Sequence, residues 1–359
     1  MKRMLTCLLC LAMVLALFAG CGSKPQEPSN NDNQTPSTNN QTPSDTNEPS
    51  GGEDEKVYHF ALVSNGPVTD GDWNENSWRG LQDCAAKYPG KVEVSYSENV
   101  AQADYADTFY GYAKDGYDLV IGNGYEFSEA VFQVCDEFPE CKFAIVNGLE
   151  YRDNVCSFEF DNVEFGYYCG VAMALVALEE NTNCAFICAE AIPSYRNFYL
   201  GMEAGIADYG QGKVTSTAYY TGDWTDITKG SEMALTAISN NEKVLVPWIG
   251  AVNHAIYAIC DEQDCKFVST SFNLGDDAFI DNALMTITQS NDQLLSAGCE
   301  SVIDGTYPAN GAFDGNFANG LNHFESYGEC LNDEQRAILD DVLAKLEAGE
   351  IDLPEMYKE

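Results

Sequence analysis

Two stretches of this chain decide its fold. Val131–Val146 reads VFQVCDEFPECKFAIV, and Ile256–Val268 reads IYAICDEQDCKFV. Both carry an apolar run at helical spacing, then Cys-Asp-Glu, a short turn, Cys-Lys-Phe and a β-branched strand. A unit that recurs in one chain marks a duplicated architecture. Outward from each copy, short continuous apolar runs alternate with helical patterns. In the first half the strands are Val57–Ser64, Val92–Tyr96, Tyr117–Ile121 and Lys142–Val146. The helices between them are Asn74–Tyr88, Gln102–Lys114 and Ser128–Phe138. In the second half the strands are Cys184–Cys188, Val214–Tyr220, Lys243–Trp248 and Lys266–Ser269, separated by Tyr195–Tyr209, Thr228–Ser239 and Ala251–Ile259. Unbroken apolar strands are those covered on both faces, and strand–helix alternation makes parallel sheets. The expected fold class is α/β, with two Rossmann-like lobes of doubly wound parallel sheet. Asn332 followed by Gln335 starts a capped C-terminal helix, with an apolar stripe at Ile338, Leu339, Val342 and Leu346.

The boundaries expected are residues 1–20 for a signal segment, 21–56 for a tether, 57–170 for the N-terminal lobe and 171–275 for the C-terminal lobe. Residues 276–359 are read as crossover segments and a closing helix that complete both lobes. The front of the chain carries the location. Lys2 and Arg3 precede an apolar run from Met4 to Phe18, and Phe18-Ala19-Gly20-Cys21 follows. This resembles the lipobox of bacterial lipoproteins, with Phe18 where Leu is usual, and it implies acylation of Cys21 and an extracytoplasmic, membrane-anchored protein. Gly22 to Lys56 is almost all Ser, Asn, Gln, Pro, Thr, Asp, Glu and Gly. Such a segment has nothing to bury and reads as a flexible tether of roughly 30–35 Å.

The formal charge is −39, from 57 acidic against 18 basic residues. That argues against nucleic acid as a partner and against adhesion to anionic lipid, since both need a positive face. Of 14 cysteines, Cys7 and Cys10 lie in the signal and Cys21 carries the lipid, which leaves an odd number in the body. The repeat points to two short disulfides, Cys135–Cys141 and Cys260–Cys265, with buried free thiols as the alternative. With His59, His254 and His323 the only histidines and no C-x-x-C in the body, a zinc site is not expected. No G-x-S-x-G, H-E-x-x-H or P-loop is present. IGNGY at 121–125 lacks the third glycine of a dinucleotide fingerprint but can let a ligand approach its backbone. No cofactor is expected, and catalysis would have to rest on carboxylates.

Two aromatic–carboxylate clusters fall at matching strand ends. The first is Asp70-Gly71-Asp72-Trp73-Asn74 and the second Tyr220-Thr221-Gly222-Asp223-Trp224-Thr225-Asp226. Open α/β sheets bind ligands at their C-terminal edges, and two indoles facing one cleft can grip a flat guest. The alternative is that each Trp is core.

In order along the chain, DGDWNENSWRGL (70–81), DLVIGNG (118–124), KFAIVN (142–147), FEFDNVEFGYYCGVA (158–172), IPSYRNFYLGMEAG (192–205), YTGDWTDITKG (220–230) and LEAGEIDLP (346–354) resemble the basic membrane protein family. That family comprises the lipid-anchored solute-binding proteins and purine-nucleoside receptors of ABC importers. The resemblance implies a venus-flytrap architecture, a small-molecule ligand, an ABC permease as partner and no catalysis. It implies that Trp73 and Trp224 stack on the ligand ring, that Asp70 and Asn74 meet its polar edge, and that Asn123 and Tyr125 line the first lobe's rim. Asp226 is placed at the second lobe's rim. Two positions depart from the family. Where it carries an Asp that holds ribose hydroxyls, this chain runs Ser269-Thr270-Ser271-Phe272-Asn273, and where it carries a Lys, this chain has Gln289. Asn273 and Gln289 therefore stand as a changed recognition pair. A sugar or a cationic solute remains open as ligand, and a tethered carbohydrate-active enzyme or a sensor that does not transport remains open as function.

Overall fold

The computed structural model describes residues 56–70, 73–148, 150–270 and 280–357. Cys21, the tether and Asn273 lie outside them. Two six-stranded sheets account for the duplicated pattern. The first contains β1 (Tyr58–Val63), β2 (Val92–Ser97), β3 (Leu119–Gly122), β4 (Lys142–Val146), β5 (Val155–Phe160) and β11 (Ala312–Gly315). Its spatial order is β11-β5-β4-β3-β1-β2 and all its pairs are parallel. The second contains β6 (Asn183–Cys188), β7 (Ser216–Tyr220), β8 (Glu242–Trp248), β9 (Lys266–Ser269), β10 (Ala283–Gln289) and β12 (Asn322–Tyr327). Its order is β12-β10-β9-β8-β6-β7, with β12 antiparallel. Both are doubly wound α/β sheets whose order reverses beside the first strand of the lobe, between β1 and β3 and between β6 and β8.

Each sheet carries apolar core on both faces. Around the first run α1 (Trp73–Lys87), α2 (Tyr105–Lys114) and α3 (Ser128–Val134). Around the second run α5 (Pro193–Tyr209), α6 (Ile227–Ser239) and α7 (Asn253–Glu262). The two copies of the repeat superpose in role. Helices α3 and α7 lead through their cysteines into β4 and β9, and Phe143 and Phe267 are fully buried.

Three crossovers connect the sheets. The first enters α4 (Asn162–Glu180) from β5, the second enters α8 (Asn291–Ile303) from β10, and the third joins β11 to β12. Helix α4 is apolar nearly all round and buried over most of its length, as expected of a helix with core on every side. Its start is fixed by Asp161, whose Oδ1 accepts from the Val163 and Glu164 amides at 3.0 Å. Gly166 and Gly170 on α4 face Gly201 and Gly205 on α5. A Cβ on Gly166 would lie 1.9 Å from the Phe198 carbonyl oxygen, and one on Gly201 1.9 Å from that of Val163. The backbones touch, which only glycine allows. Helix α9 (Asp333–Glu347) closes the body against α4, and its start is the capping box of Asn332 and Gln335.

The two expected disulfides are not formed. Cys135, Cys141, Cys260 and Cys265 are buried free thiols, as are the other described cysteines apart from the half-buried Cys330. Cys135 Sγ turns toward Asp136 Oδ1 at 3.7 Å while Cys141 Sγ donates to the Lys142 carbonyl at 3.5 Å. The turn is held instead by Asn154. Its Nδ2 donates to the carbonyls of Cys135, Phe138 and Cys141 at 2.9, 3.0 and 3.0 Å, so one of its two hydrogens is shared. In the second copy the Cys265 amide bonds the Cys260 carbonyl at 2.8 Å, and Cys265 Sγ donates to Gln263. The free-thiol alternative holds because both positions are core. Burial pushes the Cys141 thiol up to about 12.

Candidate functional site

The loop after β1 and the turn after β3 flank the point where the first sheet reverses its order, the place where doubly wound sheets take ligands. Asp70 is exposed there and works as a cap. Its Oδ2 accepts from the Asn74 amide at 3.0 Å and from Asn74 Nδ2 at 2.8 Å, and its Oδ1 from the Glu75 amide at 3.0 Å. Buried Asn74 in turn accepts from Asn123 Nδ2 at 2.9 Å. Trp73 opens α1, half-buried, and its indole N–H donates to the Asn123 carbonyl at 3.2 Å. Asp70, Trp73, Asn74 and Asn123 are thus brought together, but all four spend polar groups on one another.

Trp224 is 45% exposed. Its ring lies 5.7 Å from that of Tyr195, which lies 5.0 Å from Trp248. This aromatic tier runs over the C-terminal ends of β7, β6 and β8, and Phe165 and Phe198 support it from below. Asp226 is the N-cap of α6, accepting from the Lys229 amide at 3.1 Å. Gln289 stands at the second crossover and not at an open rim. Its Nε2 donates to Asn162 Oδ1 at 3.0 Å and Asn322 Oδ1 at 3.1 Å.

Between the lobes lies a cavity of about 190 Å³. Tyr125, Asn147, Gly148, Tyr151, Glu159 and Asp314 bound it from the first sheet. Asn162 bounds it from the crossover, and Ser194 and Asn197 from the start of α5. Met356 and Tyr357 of the C-terminal tail close its side. The tail is clamped by Asn197, whose Oδ1 accepts from the Tyr357 amide at 2.7 Å while its Nδ2 donates to the Tyr357 carbonyl at 3.2 Å. Tyr357 also borders a neighbouring hollow of about 300 Å³ with Arg196, Tyr199, Glu203 and Tyr220. Of the residues expected from sequence, Tyr125 lines the inter-lobe cavity. The two indoles lie at the strand ends of their own sheets.

The lining is acidic and aromatic. Glu159 and Asp314 present carboxylates, and burial followed by these two charges pushes the Tyr151 phenol up to about 12. Among the described residues no Lys or Arg lines this cavity. Rings, amides and carboxylates without a cation suit a neutral or cationic guest rich in hydrogen-bond donors and repel an anion. Among the described residues no group of His, Cys, Asp and Glu could hold a metal ion, and no helix is long and apolar enough to cross a membrane.

Comparison with known proteins agrees with this geometry. The family model described as ABC transporter substrate-binding protein, PnrA-like, matches residues 58–325. The chain belongs to this family. A Listeria innocua protein named CD4+ T-cell-stimulating antigen is 24% identical, over 70% of this chain and 66% of its own. The Lactococcus lactis protein named ABC transporter nucleoside-binding protein BmpA is 23% identical, over 59% of each. The chain therefore spans about two thirds or less of the length of these relatives. A solute-binding protein of an ABC transporter system from Aeropyrum pernix superposes with a TM-score of 0.65 at 17% identity, over 82% of this chain and 92% of that one. Family and fold are those of solute-binding proteins.

Proposed function

We propose that this substrate-binding family member captures a neutral, ring-containing, donor-rich solute between its two lobes, with a purine nucleoside as first candidate. It hands that solute to an ABC permease and is held on the extracytoplasmic face of a bacterial membrane by lipid on Cys21. The observation that carries the reading is the cavity between the strand ends of the first sheet and the start of α5, where Glu159 and Asp314 can accept from hydroxyl or amino groups beside the rings of Tyr125 and Tyr151. A relative named for nucleoside binding supports the ligand class. Trp73 and Trp224 are the stacking residues in this reading, with Asn273 and Gln289 as the altered pair, and the ring closes between them when the lobes do. Binding without turnover is the activity.

The test is a thermal-shift screen of adenosine, guanosine and inosine against their monophosphates, hexoses and quaternary amines. A ligand at a hundredfold its Kd adds about 2.7 kcal/mol, which a melting curve reads easily. Stabilisation by a nucleoside and none by its monophosphate is expected. Stabilisation by a sugar or a quaternary amine with none by any nucleoside refutes the ligand assignment. Hydrolysis of glycosides by the pure protein refutes the non-enzymatic reading.

A further inference from the structure

The three crossovers meet at one buried carboxylate. Glu164, in the first turn of α4, is 6% exposed. Its Oε1 accepts from the Phe317 amide at 2.5 Å and from Asn322 Nδ2 at 2.7 Å, both on the third crossover. Asn322 Nδ2 also donates to the Asp161 carbonyl at 2.9 Å, on the first crossover. Asn322 Oδ1 accepts from Gln289 on the second. A buried carboxylate is expensive unless a cation or several donors compensate it, and here the compensation consists of neutral donors drawn from the third crossover.

We propose that Glu164 is a positioning residue for lobe closure: its carboxylate fastens the third crossover to the first, and a proton on it loosens that fastening. A charged acceptor makes hydrogen bonds about twice as strong as a neutral one, so the Phe317 and Asn322 contacts weaken when the group is neutral. Burial pushes the Glu164 carboxyl up to about 7, with Asp161 adding to the rise and Asn322 and Phe317 opposing it. The other groups around it fit that assignment. The cap supplies Asp161, itself raised by burial and by Asp314 of β11. The β10 and β12 sides supply neutral Gln289 and Asn322, and His323, next along β12, is exposed. The lobes thus open and close on a joint that titrates near neutral pH.

The inference rests on the reading that the lobes move, and not on which solute they hold. The test places fluorophores at exposed Glu129 on α3 and Glu232 on α6, one per lobe, in the full chain. Energy transfer is then followed from about pH 5.5 to 8.5 without ligand. Wild type should change with a midpoint near 7, and Glu164→Gln should be flat. Asn322→Ala, which removes a donor to the carboxylate, should move the midpoint upward, and this decides the matter if Glu164→Gln does not fold. A flat wild-type profile, an unchanged midpoint in Glu164→Gln, or no shift in Asn322→Ala overturns the proposal. Adenosine separates it from the functional reading. A response to pH and none to adenosine supports the joint and counts against the nucleoside; a response to adenosine and none to pH overturns the proton coupling alone.

Discussion

Replacing Gly201 with Ala tests how the two lobes are held at their shared helix pair. The added Cβ would sit 1.9 Å from the Val163 carbonyl oxygen, 2.8 Å from its carbon and 2.9 Å from the Tyr167 nitrogen. Ordinary contact begins at 3.4 Å, so α5 must withdraw from α4 by about 1.5 Å. The atoms it meets are backbone and cannot swing aside. Overpacking costs about 1–3 kcal/mol when side chains can yield, and a backbone clash belongs at the upper end. Ala gains back up to about 1 kcal/mol of helix propensity over Gly. The net loss is about 2 kcal/mol or more, which lowers Tm by roughly 4–8 °C in a body of this size. Gly111 on α2 is the control, since a Cβ there meets nothing within 4 Å. Gly111→Ala has the propensity gain alone and should raise stability by up to about 1 kcal/mol. Urea unfolding of both variants reads the sign directly. A neutral Gly201→Ala, or two changes of the same sign, refutes the reasoning that backbone contact between α4 and α5 sets this packing.

Trp224→Ala should weaken binding of a stabilising nucleoside by about 1–3 kcal/mol, as for loss of a stacked ring, and leave Tm almost unchanged because the side chain is half exposed; isothermal titration beside a melting curve separates the two. Glu164→Gln should change how stability depends on pH. The folded pKa is raised from 4.5 to about 7, so the stability this group gives is fully present below the unfolded value and is lost as pH rises through 7. Urea titrations at pH 5 and pH 8 should show wild type losing roughly 2.5 kcal/mol more than the variant. Asn154→Ala should cost about 1–3 kcal/mol by stranding the carbonyls of Cys135, Phe138 and Cys141, whereas oxidant should leave the native Tm unchanged because the neighbouring thiols are buried.

The parallel strands β1 to β4 and β6 to β9 were legible because each is a short apolar run bounded by polar turns. The later strands were not. Val155–Phe160 interrupts its apolar run with Ser157 and Glu159. β11 is four residues long and includes Asp314, and β12 reads NHFESY, a polar edge strand with no repeating apolar face. Helix α4 was visible only through the family resemblance, since a helix buried all round has no stripe to detect. At the site, the strand ends carrying Trp73, Asn123, Tyr125 and Trp224 could be placed from the order of elements. Their partners could not. Asp70 and Asp226 look like ligand groups in a sequence, and in the fold they cap helices. Tyr151, Asn197 and Tyr357 reach the cavity from a loop, a helix start and the tail, and the clamp that joins Asn197 to Tyr357 spans 160 positions without a sequence signal.

The start of α8, where the chain returns from the second crossover to the first sheet, is joined to α1 by hydrogen bonds. Ser77 Oγ lies 2.8 Å from the Trp73 carbonyl and 2.8 Å from Asn123 Oδ1, and Asn291 Nδ2 donates to it at 2.6 Å. A hydroxyl has one proton, so Ser77 serves either the helix backbone under Trp73 or the side chain that holds Asn74, and it accepts from Asn291 in both cases. Asn291 is the first residue of α8, directly beyond the second crossover, and its Oδ1 is buried without a hydrogen-bond partner. An unsatisfied buried oxygen costs about 1–3 kcal/mol, a cost that a small turn of the α8 start could relieve. The start of α1, which carries Trp73, and the start of α8 are therefore joined through one hydroxyl. Among the described residues Trp224 has its ring contact with Tyr195 of its own lobe. The two indoles therefore differ in their surroundings: Trp73 hydrogen-bonds to the Asn123 carbonyl beside the Ser77–Asn291 contact, and Trp224 packs on Tyr195 with its ring 45% exposed.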